Sequence, residues 1–284
     1  MSDTYVITGA SDGVGAAAAR LLHTTRPEDR VIIVGRSPEK TRAVGRELGT
    51  DYFTADFSDL EQVRELAKQL APLGPIKGLA NNAGGLFDTA VRTVDGYERG
   101  WQINVVAPFL LTALLKEQLR GDDGKSSVVV NTASIAANLF ARFDASDPNT
   151  FDKFSPLRSY GNAKLGDVLL TQYLHAHDFN SVAFHPSVLS TNFSKSSTSL
   201  MGKFYNFRPA ASQMGTPSQG AERLVHFLTG VRGVHYQSGE FYLKPYQASR
   251  TRRRSSDREL AHEVFRSEER RVGKECRSRW SPYH

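Results

Sequence analysis

Short apolar, β-branched runs alternate with helical periods along most of this 284-residue chain, and no other feature limits its fold as strongly. Thr4 to Thr8, Val31 to Val34, Asp51 to Thr54, Ile76 to Ala80, Ser127 to Asn131, Ser181 to Phe184 and Glu240 to Leu243 read as seven strands. Runs this short, apolar on both faces and separated by helices, belong to a parallel sheet covered on both sides. Helix starts are marked between them. Ser37-Pro38-Glu39 puts a cap residue before a proline at the first helical position. Ser58-Asp59-Leu60-Glu61 has the S-x-x-E pattern of a capping box and opens a helix to about Leu70. Tyr97 to Leu119 and Leu157 to Ala176 carry long helical periods, and Thr216-Pro217 caps a helix to Leu228. The fold class is therefore α/β, with a doubly wound, seven-stranded parallel sheet in a single domain over residues 1–249.

Composition excludes several alternatives. Hydrophobic residues at 39% and charged ones at 23% fit a folded globular chain and leave no room for disorder or collagen-like repetition. No apolar run reaches the roughly 18 residues of a membrane helix, and Asp3 follows too soon for a signal peptide, so neither a membrane span nor a leader is expected. The one cysteine, Cys276, rules out a disulfide framework or a cysteine-rich metal site, and a reducing, cytoplasmic setting follows. The net charge of +6 is mostly local. Arg250 to His284 holds eleven Lys/Arg and six Asp/Glu, whereas residues 1–249 hold 25 and 24. Arg252-Arg253-Arg254 has no interleaved aromatics, so nucleic acid is not an expected partner. Residues 250–269 fit a C-terminal helix. Residues 270–284 show no periodicity, read as a frame-shifted or vector-derived end, and are set aside from the fold.

Two constellations carry chemistry. Thr8-Gly9-Ala10-Ser11-Asp12-Gly13-Val14-Gly15 lies directly between the first strand and first helix. Glycines there allow a tight turn and close approach of backbone to a pyrophosphate resting on the helix N-terminus. The spacing is G-x-x-x-G-x-G rather than G-x-G-x-x-G, so its position after a strand and before a helix carries the dinucleotide reading. The end of the second strand, Gly35-Arg36-Ser37, has no acid to bind the ribose hydroxyls of NAD, whereas Arg36 suits the 2′-phosphate of NADP. The second constellation is Tyr160-Gly161-Asn162-Ala163-Lys164. Four residues of spacing bring both side chains to one helix face. An ammonium there would lower the phenol's pKa from its ordinary value of about 10 and make it a usable proton donor and acceptor.

Thr8-Gly9-x-x-x-Gly13-x-Gly15, Asp56, Asn81-Asn82-Ala83-Gly84, Asn104, Ser134 and Tyr160-x-x-x-Lys164 occur in the order of the short-chain dehydrogenase/reductase family, which the chain resembles from about Thr4 to Leu243. The resemblance implies a Rossmann-type sheet, the cofactor NADP(H) and a catalytic set of Asn104, Ser134, Tyr160 and Lys164. In that scheme Tyr160 donates the proton to a substrate carbonyl, Ser134 hydrogen-bonds its oxygen, and Lys164 lowers the phenol's pKa and binds the nicotinamide ribose. Asn104 holds a water that passes protons toward Lys164. Cofactor contacts fall to Gly9, Ser11, Asp12, Gly13, Val14 and Gly15 of the loop and to Arg36 and Ser37 after the second strand. Asp56 and Phe57 lie at the adenine edge, and Asn81, Asn82, Ala83 and Gly84 beside the adenosine ribose. Pro186 and Thr191 follow the sixth strand. There the family usually reads Pro-Gly, but this chain has Pro186-Ser187, which puts the Thr191 contact in doubt.

The substrate is foreshadowed by two aromatic-rich segments. Phe140, Phe143, Phe151 and Phe154 lie in a long stretch between Ser134 and Tyr160, and Leu200, Met201, Phe204, Tyr205 and Phe207 lie in a substrate loop at 192–215. They suggest a bulky, apolar small molecule bearing a carbonyl or alcohol, with the alternative that they pack the loops onto the body. The long stretch and Arg36 are similar to the retinol dehydrogenase and protochlorophyllide reductase branch. No cysteine precedes Cys276, which disfavours the pigment-reducing alternative. A non-catalytic NADP(H) sensor is the other alternative, disfavoured because Tyr160 and Lys164 are both kept. A homo-oligomer is left open.

Overall fold

The computed structural model describes residues 2–120, 127–186, 216–244, 247–248 and 258–273. Seven strands form the parallel sheet: β1 (Thr4–Thr8), β2 (Arg30–Gly35), β3 (Tyr52–Thr54), β4 (Gly78–Asn81), β5 (Val128–Thr132), β6 (Asn180–Phe184) and β7 (Phe241–Lys244). A two-residue strand, β8 (Gln247–Ala248), adds an antiparallel edge to β7. The order is β3-β2-β1-β4-β5-β6-β7-β8. The chain reverses direction across the sheet between β1 and β4, and such a switch point opens a crevice at the carboxyl ends of the strands. The loops after β1, β4 and β5 meet there.

Strand side chains alternate between two helical layers. Val6 packs with Leu66, Val105 and Leu169, while Tyr5 and Ile7 pack with Leu22 and Phe227 on the opposite face. The second layer holds α1 (Gly13–Thr25), α2 (Pro38–Leu48) and a later helix, Pro217–Thr229. The first holds α3 (Leu60–Leu70), α4 (Arg99–Trp101), a π-helical turn at Gln102–Val106, α5 (Ala107–Leu114) and α6 (Lys116–Arg120). After β5 come α7 (Ala136–Leu139) and α8 (Pro156–Ala176). Pro217–Thr229 is α9, and Arg258–Val272 is α10.

Four readings of the sequence are corrected here. Ser58 does not cap α3. Asp59 does, accepting from Glu61 N at 3.0 Å, while the Ser58 hydroxyl donates to Asp56 Oδ1. A carboxylate beside the first free N–H groups outcompetes the hydroxyl, because it also answers the helix dipole. The single helix expected from Tyr97 to Leu119 is broken by the π-helical turn and again at Leu115, where φ is −95° and ψ 16°. Phe143 is not a pocket aromatic. It is buried against Trp101, with ring centroids 5.5 Å apart. Helix α10 runs past residue 269, because Ala261, Val264, Phe265, Glu268 and Val272 form one buried stripe at helical spacing. Phe265 packs on Phe109 and Tyr173, each at 5.2 Å.

Candidate active site

The loop between β1 and α1 is shaped by contacts that leave no space for side chains. Gly9 has φ +67°, and a Cβ there would lie 2.8 Å from Ala83 Cα. A Cβ on Gly15 would lie 2.5 Å from Gly9 O and 2.6 Å from Asn82 Nδ2. Both positions need glycine, the first for its backbone and the second for its closeness. Gly13 is also left-handed, at φ +58°. Asp12 caps α1, its Oδ1 accepting from Gly13 N at 2.8 Å, and Val14 packs on the second-layer core.

Asn82 binds this loop to the centre of the sheet. Its Nδ2 donates to Thr8 O at 2.9 Å, and its Oδ1 accepts from Thr132 Oγ1 at 3.3 Å. The Thr8 hydroxyl donates to Ala80 O and accepts from Asn82 N and Ala83 N, all within 3.0 Å. Neighbouring Asn81 points the other way. It is buried, and its Nδ2 donates to Asn131 Oδ1 and Thr112 Oγ1. Adjacent strand residues face opposite sides, so only one of the two asparagine side chains can reach the loop. The side chain of Asn81 therefore lies in the core, as does the ring of Phe57, and a cofactor contact at either position would fall to its backbone. Asp56 remains at the surface of this end, with Oδ1 accepting from Ser58 N and Oγ.

Arg36 is exposed at the carboxyl end of β2, and Ser37 caps α2. Ser11 reaches the same place, since a Cβ on Gly35 would lie 2.8 Å from Ser11 Cβ. The sequence reading missed Lys40. One turn into α2, its Nζ lies 3.0 Å from Asp12 Oδ2, which places a second cation on the rim formed by Asp12 and Ser37. The signal was a basic residue in the first helical turn, where the dipole favours acids.

The catalytic candidates gather where β4 and β5 end. Ser134 follows β5, with its Oγ accepting from Ala136 N at 3.2 Å, and its hydroxyl is near enough to the phenol of Tyr160, on α8, to favour the phenol's ionised form. Lys164 lies one turn further along α8, buried, donating to Thr132 O at 2.9 Å and to Asp167 Oδ2 at 2.8 Å. Its Nζ is 5.8 Å from the centre of the Tyr160 ring. This changes the electrostatic expectation. Burial pushes the Tyr160 phenol above its ordinary range, the nearby Ser134 hydroxyl opposes this, and the Asp167 charge adds to it. The ammonium that was to lower the phenol's pKa is matched by a carboxylate at hydrogen-bond distance. Asp167 is itself pushed up to about 6 by burial, against the pull of Lys164.

Asn104 comes from the π-helical turn, a feature that recurs at functional sites because its extra residue redirects side chains. Its Nδ2 donates to Gly100 O at 2.8 Å and Gly85 O at 3.1 Å, and its Oδ1 accepts from Gly85 N at 3.3 Å. A Cβ on Gly84 would lie 2.5 Å from Asn104 Oδ1 and 3.4 Å from Lys164 Nζ. Glycine at 84 therefore lets the backbone pass close to both groups. Pro186 directly follows His185, whose N donates to Tyr242 O at 2.8 Å. Ser187, Thr191 and the aromatic loop at 192–215 lie outside the described residues.

Tyr160 and Lys164, on one helix, thus meet Ser134 beside the glycine-lined crevice. Such a cluster can hold a carbonyl oxygen and deliver a proton to it. Comparison with known proteins shows the family. A family model described as short chain dehydrogenase matches residues 3–144. A candidate daunorubicin C-13 ketoreductase, DnrU, of Streptomyces sp. strain C5 is 33% identical over 249 residues, covering 84% of this chain and 82% of that protein. Retinol dehydrogenase 12 of Mus musculus is 30% identical over 233 residues, covering 78% and 71%. Among solved structures, an uncharacterised Mycobacterium paratuberculosis protein superposes with a TM-score of 0.73 at 26% identity, over 95% of this chain and 93% of that one.

Proposed function

Because the chain belongs to the short-chain dehydrogenase family, an oxidoreductase family that works between alcohols and ketones with a nicotinamide cofactor, we propose that it uses NADPH to reduce the carbonyl group of a bulky, apolar small molecule. The observation that carries this reading is that Tyr160 and buried Lys164 lie one turn apart on α8, with Lys164 Nζ 5.8 Å from the Tyr160 ring and bonded to Thr132 O at the end of β5, two residues before Ser134.

The crevice fits a dinucleotide. Gly9 and Gly15 let the loop close tightly against Ala83 and Asn82, which brings the N-terminus of α1, the part of a helix that attracts phosphate, to the end of β1. Arg36 and Lys40 stand at the end of β2, where Gly35 is followed by Arg36 rather than by an acid and the Asp12 carboxylate is engaged by Lys40, which supports a 2′-phosphate there over free ribose hydroxyls. Bound in this crevice, the nicotinamide supplies the hydride. Lys164 anchors the ribose side, and Tyr160 gives its proton to the carbonyl oxygen as negative charge develops. Ser134 shares in holding that oxygen. Asn104 Oδ1 and Lys164 Nζ both lie against Gly84, and a water bridging them would return a proton to the site.

Support for a bulky apolar substrate comes from two exposed side chains immediately after Ser134. Ile135 and Leu139, 37% and 50% exposed, flank the catalytic candidates on α7 and the turn before it. Two relatives carry names that refer to daunorubicin and retinol, both much larger than a simple ketone. No helix among the described residues is long and apolar enough to cross a membrane. A reducing, cytoplasmic setting is part of the same reading and is carried by the single cysteine.

The test is NADPH oxidation with a panel of carbonyl compounds: polycyclic ketones, isoprenoid aldehydes and small polar ketones as the contrast. Turnover of bulky members with NADPH above NADH is expected. Binding of NADPH with no turnover of any member would turn the reading toward a cofactor sensor.

A further inference from the structure

Glu98, buried at the start of α4, is a carboxylate that the chemistry above does not use. Its Oε2 accepts from Trp101 N at 3.0 Å, capping α4, and from the Ser159 hydroxyl, also at 3.0 Å. Ser159 immediately precedes Tyr160 on α8, and α4 leads directly into the π-helical turn that carries Asn104. Gly100 O accepts from Asn104 Nδ2 at 2.8 Å. A Cβ on Gly100 would lie 2.9 Å from Glu98 Oε2 and 3.2 Å from Ser159 Oγ, so glycine there lets the two helices close on this oxygen. A second tie runs from Glu98 N to Asn149 Oδ1 at 2.9 Å, in the long stretch between Ser134 and Tyr160. Capping alone does not call for glutamate, because serine, threonine, aspartate and asparagine are the favoured caps and a buried carboxylate is costly.

We propose that Glu98 is a positioning residue for carbonyl reduction: its bond to Ser159 locks the turn bearing Asn104 to the helix bearing Tyr160 and fixes the separation of these two groups. The proposal rests on the roles given to Tyr160 and Asn104 above. Glutamate is one methylene longer than aspartate, the length with which a single oxygen caps α4 and still reaches α8. The path on each side is short. From Oε2 it runs through the Ser159 hydroxyl to the next residue, Tyr160, and through Trp101 N and Gly100 O to the Asn104 amide. Apolar packing presses the same elements together, since a Cβ on Gly166 would lie 2.6 Å from Val105 Cγ2 and 2.9 Å from the Trp101 ring. The Trp101 indole is also held from α10, its Nε1 donating to Glu268 at 3.2 Å. Losing the Glu98–Ser159 bond therefore leaves α4 seated. Apolar contact has no direction, however, whereas a hydrogen bond weakens steeply with angle and distance, so it is this bond that sets how α4 lies along α8.

Ser159→Ala deletes the hydroxyl, and Glu98→Asp keeps the cap but shortens the reach. In each, kcat for the polycyclic ketones of the panel is expected to fall about tenfold, with KM and NADPH affinity within about twofold, because only the alignment of reacting groups is lost. The double variant should be no slower than the slower single one, as for residues that act as a unit. Glu98→Gln keeps the length and an acceptor oxygen, and is expected to restore most of the turnover lost in Glu98→Asp. A second readout is amide hydrogen exchange of the NADPH-bound protein without substrate. Exchange should rise at residues 99–106 in Ser159→Ala and stay unchanged in the glycine loop at 8–15. Unchanged exchange at 99–106, or kcat and KM moving together in all variants with Glu98→Gln no better than Glu98→Asp, would overturn the proposal. Should Glu98→Asp fail to fold, Ser159→Ala, which removes one oxygen from α8, carries the same outcomes. Exchange needs no turnover: a rise at 99–106 in a chain that reduces no ketone would remove the proposed function and keep the tie between the helices. Turnover unchanged in Ser159→Ala would remove this inference and keep the function.

Discussion

Thr8 and Asn82 bond each other reciprocally: the amide side chain of Asn82 donates to Thr8 O at 2.9 Å, and the Thr8 hydroxyl accepts the Asn82 N–H at 3.0 Å. The two residues are 74 positions apart, yet this pair sets where the glycine loop lies over the ends of β1 and β4. Thr8→Val keeps the shape and removes the hydroxyl, leaving the N–H groups of Asn82 and Ala83 without their acceptor. Each orphaned buried group costs about 1–3 kcal/mol. Urea unfolding is expected to show a loss on the order of 2–4 kcal/mol, with NADPH affinity reduced as the loop loosens.

Cofactor choice is expected to rest on the rim cations. Arg36→Asp should shift the NADPH to NADH affinity ratio by about ten- to a hundredfold, since a charge-assisted hydrogen bond contributes roughly 1.5–3 kcal/mol. Lys40→Ala should shift it in the same direction but less, because Lys40 is shared with Asp12. Fluorescence titration with each cofactor decides this. Equal affinities in the unmutated protein would remove the phosphate role from both residues.

Tyr160→Phe deletes one oxygen and keeps the ring. Single-turnover reduction should slow by about 10²–10⁴, as expected when a general acid is lost, with NADPH affinity little changed. Near-normal turnover would take Tyr160 out of the mechanism.

Gly84→Ala tests the placement of Asn104 beside Lys164. The added methyl would fall 2.5 Å from Asn104 Oδ1 and 3.4 Å from Lys164 Nζ, so Asn104 has to move. Turnover should drop by at least tenfold while NADPH still binds. Unchanged turnover would show that proton return does not depend on where Asn104 sits.

His185 should make the fold acid-sensitive. Burial, with Arg223 as the second cause, pushes its imidazole down to about 4. The unfolded chain takes up this proton below about 6.5 and the folded chain only below about 4, so stability is present above 6.5 and is lost as pH falls between those values. The loss amounts to at most about 3 kcal/mol. Melting temperature measured from pH 7 to 4 should fall less steeply in His185→Gln than in the unmutated chain. Equal slopes would assign the acid sensitivity to other groups.

The alternation of strands and helices, the glycine loop and the Tyr160–Lys164 spacing were legible in the sequence because each is a local pattern. Period, turn chemistry and helix spacing act over a few residues, and the sheet order then follows from the connections. What the sequence could not disclose were pairings between distant segments. Asn81 and Asn82 look alike as letters, but strand pleating sends one amide into the core on Asn131 and the other to the glycine loop. Phe143 reads as a pocket aromatic until Trp101 is found against it. Lys40 becomes notable only beside Asp12, 28 residues away. Asp167 was within reach at three residues from Lys164, yet only burial makes its charge matter: the same carboxylate in water would be screened. Local propensity thus determined the fold class and the positions of the chemistry. The dielectric and the packing that tertiary structure imposes decided which of those side chains act and in what protonation state.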